Sequence, residues 1–107
     1  MNDSQYQALV DGVYRRLTDV FEPVDPDVAD CEVAGDVVTI TFPGNKRCII
    51  NTQRPTQQIW LAASSRAWHF SYDDAKSAWM DDKGRGDELF ATVARIVKET
   101  SGADVAI

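Results

Sequence analysis

Carboxylates are the one chemically capable group that this sequence supplies in quantity. Asp19 and Glu22 stand at i,i+3 spacing, which puts two side chains on one face of a helix. Asp25, Asp27, Asp30 and Glu32 follow just beyond. Such oxygens suit hard cations, but a row on a convex surface does not enclose an ion. The chemistry implied is weak, unselective cation binding. Solvated helix carboxylates that bind nothing fit the same pattern, and both readings stay open.

Other chemistry has little to build on. The single histidine, His69, has no Ser or Cys nucleophile in a recognisable local motif. The chain contains no glycine-rich phosphate loop, no HExxH and no CxxC. Cys31 and Cys48 lack metal-motif spacing, and each sits in an apolar, strand-like run. They read as two reduced core thiols, since free cysteine packs as a small hydrophobe. The expectation is a protein that is not itself an enzyme.

Charge narrows the partners. Residues 1–36 hold nine acids against Arg15 and Arg16, whereas residues 37–107 hold eight acids against nine bases. The net charge of −6 is therefore concentrated in the first third. That disfavours nucleic acid, whose backbone needs Lys and Arg, and favours cations or a basic protein surface. The longest apolar run, Ile59 to Ala63, is far too short to span a bilayer. Met1-Asn2-Asp3-Ser4 has neither the charge nor the apolar stretch of a signal peptide, so the chain is expected to stay where it is made.

The elements that must position these residues fit one domain of 107 residues. Asn2, Asp3 and Ser4 offer N-cap chemistry for a first helix. Tyr6, Leu9, Val10, Val13, Leu17, Val20 and Phe21 form its apolar stripe, and Pro23 and Pro26 end it. Strands follow: Cys31–Val33, Val37–Phe42, Lys46–Gln53, Gln57–Ala62, Ala67–Ser71 and a short one around Ala78–Met80. Turns this short between successive strands require antiparallel pairing. Asp87 is the expected N-cap of a second helix with Leu89, Phe90, Val93, Ala94 and Val97 on its apolar face, and Gly102 ends it. The class is α+β, with two helices on one face of a five- to six-stranded antiparallel sheet and the other face in water.

Alternation assigns the faces. Val38, Ile40, Phe42, Cys48, Ile50, Ile59, Leu61, Trp68 and Phe70 point to the helices. Asn51, Gln53, Gln58, Trp60 and His69 then share the water-facing side. A large aromatic among amides suits a protein-binding hot spot. A partly covered Trp60 that merely finishes the sheet fits equally, while Trp68 and Trp79 are expected in the core.

The run Ile50-Asn51-Thr52-Gln53-Arg54-Pro55-Thr56-Gln57-Gln58-Ile59-Trp60-Leu61-Ala62 is the most specific stretch. With Met1-Asn2-Asp3-Ser4, Asp30-Cys31-Glu32, Val37–Phe42, Trp68-His69-Phe70, Trp79 and Glu88-Leu89-Phe90, it resembles the frataxin family, in particular bacterial CyaY-type members. The resemblance covers essentially the whole chain and carries the family's Asn-x-Gln-x-Pro and Gln-[Ile/Val]-Trp-Leu pattern. It implies a two-layer α-β sandwich and weak binding of ferrous and ferric iron by an acidic ridge. By match, Asp19, Glu22, Asp25, Asp27, Asp30 and Glu32 form that ridge, and Asp3 belongs to an N-terminal site. It also implies docking on the cysteine desulfurase–scaffold protein complex, with Asn51, Gln53, Gln58 and Trp60 as the contact. The implied function is an iron-binding regulator of iron–sulfur cluster assembly, cytoplasmic, bacterial and monomeric without iron. The alternative it implies is an iron chaperone, donor or store with weak ferroxidase character. Three features depart from the family pattern: Arg15 and Arg16 on the first helix, no Glu in the Phe42-Pro43-Gly44 turn, and Ser64-Ser65-Arg66 where a glycine-rich turn is usual.

Overall fold

Asn2 starts the first helix with a reciprocal cap. Its side chain accepts from Gln5 N at 2.8 Å, and Gln5 Oε1 accepts from Asn2 N at 2.9 Å. In the computed structural model, which describes residues 1–107, helix α1 then runs Asp3–Phe21. Six strands follow: β1 Asp30–Ala34, β2 Val37–Phe42, β3 Lys46–Gln53, β4 Gln58–Ala63, β5 Arg66–Asp73 and β6 Ala78–Asp81. Helix α2, Leu89–Ser101, closes the chain. The strands lie in chain order in one antiparallel sheet. This is the arrangement expected, with the strand count settled at six.

Both helices bury their stripes against one side of the sheet. Tyr6, Val10, Val13, Tyr14, Leu17 and Phe21 of α1 and Leu89, Val93, Ile96 and Val97 of α2 join the inward strand residues in one core. Tyr14 was not expected there. It is buried there, and its hydroxyl donates to the Asp36 carbonyl, which ties α1 to the β1–β2 turn. Trp68 and Trp79 are buried as expected. Cys31 and Cys48 are free thiols on this inner side. Burial pushes them up to about 11 and about 12, so neither offers a thiolate at neutral pH.

The turns explain one departure from the family pattern. Ser64 and Ser65 both adopt left-handed backbone, at φ 51° and 65°. A β-hairpin of two residues wants that geometry, and a residue with a Cβ gives up roughly 1–2 kcal/mol to reach it. The sheet twist is therefore kept by conformation, without a glycine in the turn.

One expectation is corrected. Asp87 is not the N-cap of α2; Glu88 is, accepting from Phe90 N at 2.8 Å and Ala91 N at 2.9 Å. Asp87 is engaged elsewhere, accepting from Trp68 Nε1 at 3.0 Å and pairing with Arg95 at 3.4 Å. The same loop is held by Asp81. Its buried carboxylate accepts from Lys83 N at 3.1 Å, from Arg85 N at 3.2 Å and from the Arg85 guanidinium at 2.6 Å. The Asp81 N–H donates to the Asp87 carbonyl at 2.9 Å and Met80 bridges Glu88, so the β6 edge is covered.

The Arg85 guanidinium holds the Asp81 carboxyl below the usual carboxylate range, and the Trp68 indole N–H does the same for Asp87. Depressed carboxylates stabilise the fold above the ordinary Asp value, about 3.9, and that contribution drains as pH falls through the lowered value. Asp81→Ala is expected to lose about 1–3 kcal/mol in urea unfolding at pH 7. Its stability should also fall less than the parent's between pH 5 and pH 3, both figures being about the range where carboxylates protonate. An unchanged acid limb would show that Asp81 is not the group responsible.

Candidate functional site

Sheet register brings the outward residues into rows. Ala34, Val37, Asn51, Trp60 and His69 lie opposite one another across β1 to β5. A second row holds Gln53, Gln58, Ser71 and Met80. A third holds Glu32, Thr39, Ile49, Ala62 and Ala67. Asp30, Thr41 and Arg47 form the fourth. All four residues expected to make the partner contact, Asn51, Gln53, Gln58 and Trp60, are therefore neighbours on one open face, with His69 beside them.

The amide Gln58 organises this face. Its Oε1 accepts from Trp60 Nε1 at 2.9 Å and from Thr56 Oγ1 at 3.1 Å. Its Nε2 donates to Ser71 Oγ and to Asp82 Oδ2, each at 3.0 Å. Behind the face, Tyr6 of α1 donates its hydroxyl to the Gln58 carbonyl at 2.6 Å and accepts from Gln53 N at 3.3 Å. One buried tyrosine thus fixes both ends of the Arg54–Thr56 connection between β3 and β4. Trp60 is half-buried and stacks on His69, with ring centroids 4.1 Å apart and 13° between planes. Ile49, 39% exposed, adds apolar area one row away. His69 and Cys48 lie on opposite sides of the sheet, so they form no catalytic pair.

The carboxylates lie along one edge. Asp30 and Glu32 project from β1 onto the same open face as Trp60, in the outer rows. Glu22 and Asp30 line one shallow groove between the end of α1 and β1, and Asp25 Oδ1 accepts from Asp27 N at 2.9 Å. Asp3 is elsewhere. It lies near Arg54 and Thr56 at the opposite end of α1, about 28 Å from Glu22 at 1.5 Å rise per residue. No three His, Cys, Asp or Glu side chains converge as a metal cage. The ridge therefore offers separate oxygen donors to hard cations, with water completing any coordination.

Charge pairing is uneven across the molecule. Arg66 bridges Glu99 at 3.1 Å, Arg95 bridges Asp87 at 3.4 Å and Lys98 bridges Asp104 at 3.3 Å. None of Asp19, Glu22, Asp25, Asp27, Asp30 and Glu32 has a basic side chain within 4.0 Å. The Arg16 guanidinium keeps its charge and lies 4.1 Å over the Phe90 ring of α2. Arg15 and Asp19 flank the groove between α1 and the C-terminal tail.

Sequence reasoning missed the support of Trp60. Ser71 ends an expected strand and Asp82 lies beyond the last one, so neither stands out as a neighbour of Trp60. Asp82 faces His69 because the β5–β6 pairing of Phe70 with Asp81 carries one position further. Extending the strand alternation past Met80 was the signal that would have found it.

A frataxin-like domain matches residues 1–103, and the chain belongs to the frataxin family. Within it the chain is similar to CyaY-type members. It is 37% identical to the iron–sulfur cluster assembly protein CyaY of Tolumonas auensis, over 100% of this chain and 99% of that protein. Identity to the Pseudomonas aeruginosa protein of the same name is 37%, over 98% of this chain and 95% of the relative. The solved structure of the frataxin from Psychromonas ingrahamii superposes with a TM-score of 0.88 at 30% identity, covering 98% of this chain and 96% of that one.

Gln58→Ala removes the acceptor of the Trp60 indole N–H without touching the core. Exchange of that N–H with water, followed by NMR, is expected to speed up several-fold, while global stability changes by less than about 1 kcal/mol. An unchanged exchange rate would mean that Gln58 does not hold Trp60.

Proposed function

We propose that this protein serves iron–sulfur cluster assembly as an iron-binding regulator that docks on a cysteine desulfurase–scaffold complex. The observation that carries this reading is a juxtaposition: the unpaired carboxylates Asp30 and Glu32 share the open face with the Trp60 patch. Unpaired acids give a basic partner something to neutralise and speed encounter. Trp60, with Asn51, Gln53 and Gln58 around it, supplies apolar area and orienting hydrogen bonds. The names borne by the CyaY relatives support the cluster-assembly part of this reading.

Iron belongs to this reading as a weakly held cargo or signal. Asp19, Glu22, Asp25, Asp27, Asp30 and Glu32 would take ferrous and ferric ions in ones and twos, and Asp3 would act separately. Hard oxygen donors without a cage favour loose, exchangeable binding. Iron on the ridge would cancel the charge that a basic partner reads, which links iron level to docking. No helix is long and apolar enough to cross a membrane. We assign the protein to the bacterial cytoplasm, as a monomer when iron is absent.

One variant tests both halves. Asp25→Lys, Asp27→Lys and Glu32→Lys together should weaken binding to the desulfurase by about tenfold or more at low salt and flatten its salt dependence. The same variant should lose heat or paramagnetic signal in an anaerobic Fe²⁺ titration. Parent-like binding and parent-like salt dependence would sink docking by the ridge; parent-like iron uptake would sink the iron assignment.

A further inference from the structure

Around Trp60 the side chains close into a circuit that docking alone does not require. The indole Nε1–H donates to Gln58 Oε1 at 2.9 Å. Gln58 Nε2 donates to Asp82 Oδ2 at 3.0 Å. That same oxygen lies 3.8 Å from His69 Nδ1, and the His69 ring returns to Trp60 as a stack at 4.1 Å. The sheet sets every member. Trp60 and His69 are directly opposed on β4 and β5, and Asp82 N donates to the His69 carbonyl at 2.9 Å.

We propose that His69 is the positioning residue for Trp60, and that protonation of its imidazole tightens the hold, so that the open face is tuned by pH. Two of the contacts respond to charge in the same direction. At 3.8 Å the imidazole and the carboxylate are too far apart for a hydrogen bond, so the pair gains only when the ring is charged. An imidazolium over an indole face adds a cation–π attraction, where the neutral ring has only its stack. Asp82 is the one acidic side chain in ion-pair range of His69. The other outward neighbours, Gln58 and Trp60 on β4, Ala67 and Ser71 on β5 and Met80 on β6, carry no charge. The adjoining loop carries two cations: Arg85 is bound to Asp81 and to the Ala67 carbonyl, and Lys83, next to Asp82, pairs with no acid within 4.0 Å. A held aromatic loses less freedom when a partner covers it, so the tightened form is the better docking surface. This consequence rests on docking through the open face; the circuit itself does not.

The test uses the free protein first. His69 is the only histidine and Trp60 is the one tryptophan outside the core, so both give separable NMR signals. As pH is raised through deprotonation of the imidazole, the Trp60 indole N–H signal should move in step with the His69 ring signals. In His69→Phe, which keeps a stacked ring but cannot be protonated, the indole signal should be flat. His69→Gln should also be flat and should show faster exchange of the indole N–H. The indole signals of Trp68 and Trp79 report whether the fold is intact. A Trp60 signal that is flat in the parent, or that still moves in His69→Phe, would overturn the proposal. With the desulfurase–scaffold complex, raising the pH through the same deprotonation should weaken the parent by about two- to fivefold more than His69→Phe. Equal losses would remove the tuning of docking. Absence of any binding by either protein would instead strike the docking reading and leave the NMR result to decide the role of His69.

Discussion

Two helices can cover one side of a six-stranded sheet and no more. Each strand must then alternate, apolar inward and polar outward, and a one-residue slip would drown the core and bury the amides. That constraint runs through the molecule. It puts Ile59 and Leu61 in the core and leaves Gln58 and Trp60, which alternate with them, on the opposite side. It separates Cys48 from His69. It also makes an open face unavoidable, and the residues placed there are free to be chosen for binding.

Charge is paired unevenly as well. On the helix side, most arginines and lysines are occupied by neighbouring acids or by aromatic rings. Exposed pairs of this kind add little stability each, but they use up the positive charge locally. Along the end of α1 and β1 the acids have no such partners. Their repulsion is a small cost to the fold, and it leaves a field directed outward at the margin of the Trp60 patch. Arg47, at the far end of the Asp30 row, keeps the face from being uniformly acidic.

The architecture was legible because its signals are local: a capped amphipathic helix, short turns and strict period-two alternation. The same alternation was enough to gather Asn51, Gln53, Gln58 and Trp60 on one side. What escaped depends on partners distant in sequence. Asp87 looks like an N-cap until Trp68, nineteen positions away, takes its carboxylate. Asp81 looks like a turn residue until its pairing with Phe70 turns it inward. The Tyr6 hydroxyl reaches Gln53 and Gln58 across 47 and 52 positions. Alternation carried past Met80 turns Asp82 outward, but setting it beside His69 also needed the β5–β6 register.

The most direct measurement is NMR mapping of the labelled protein against an unlabelled cysteine desulfurase–scaffold complex at low salt. If the acid-edged open face is the working surface, signals of Asp30, Glu32, Ile49, Asn51 and the Trp60 indole will shift or broaden first. Those of Arg15, Arg95 and Lys98 on the helix side will stay in place. Perturbation confined to the helix side, with the Trp60 indole unmoved, would contradict it.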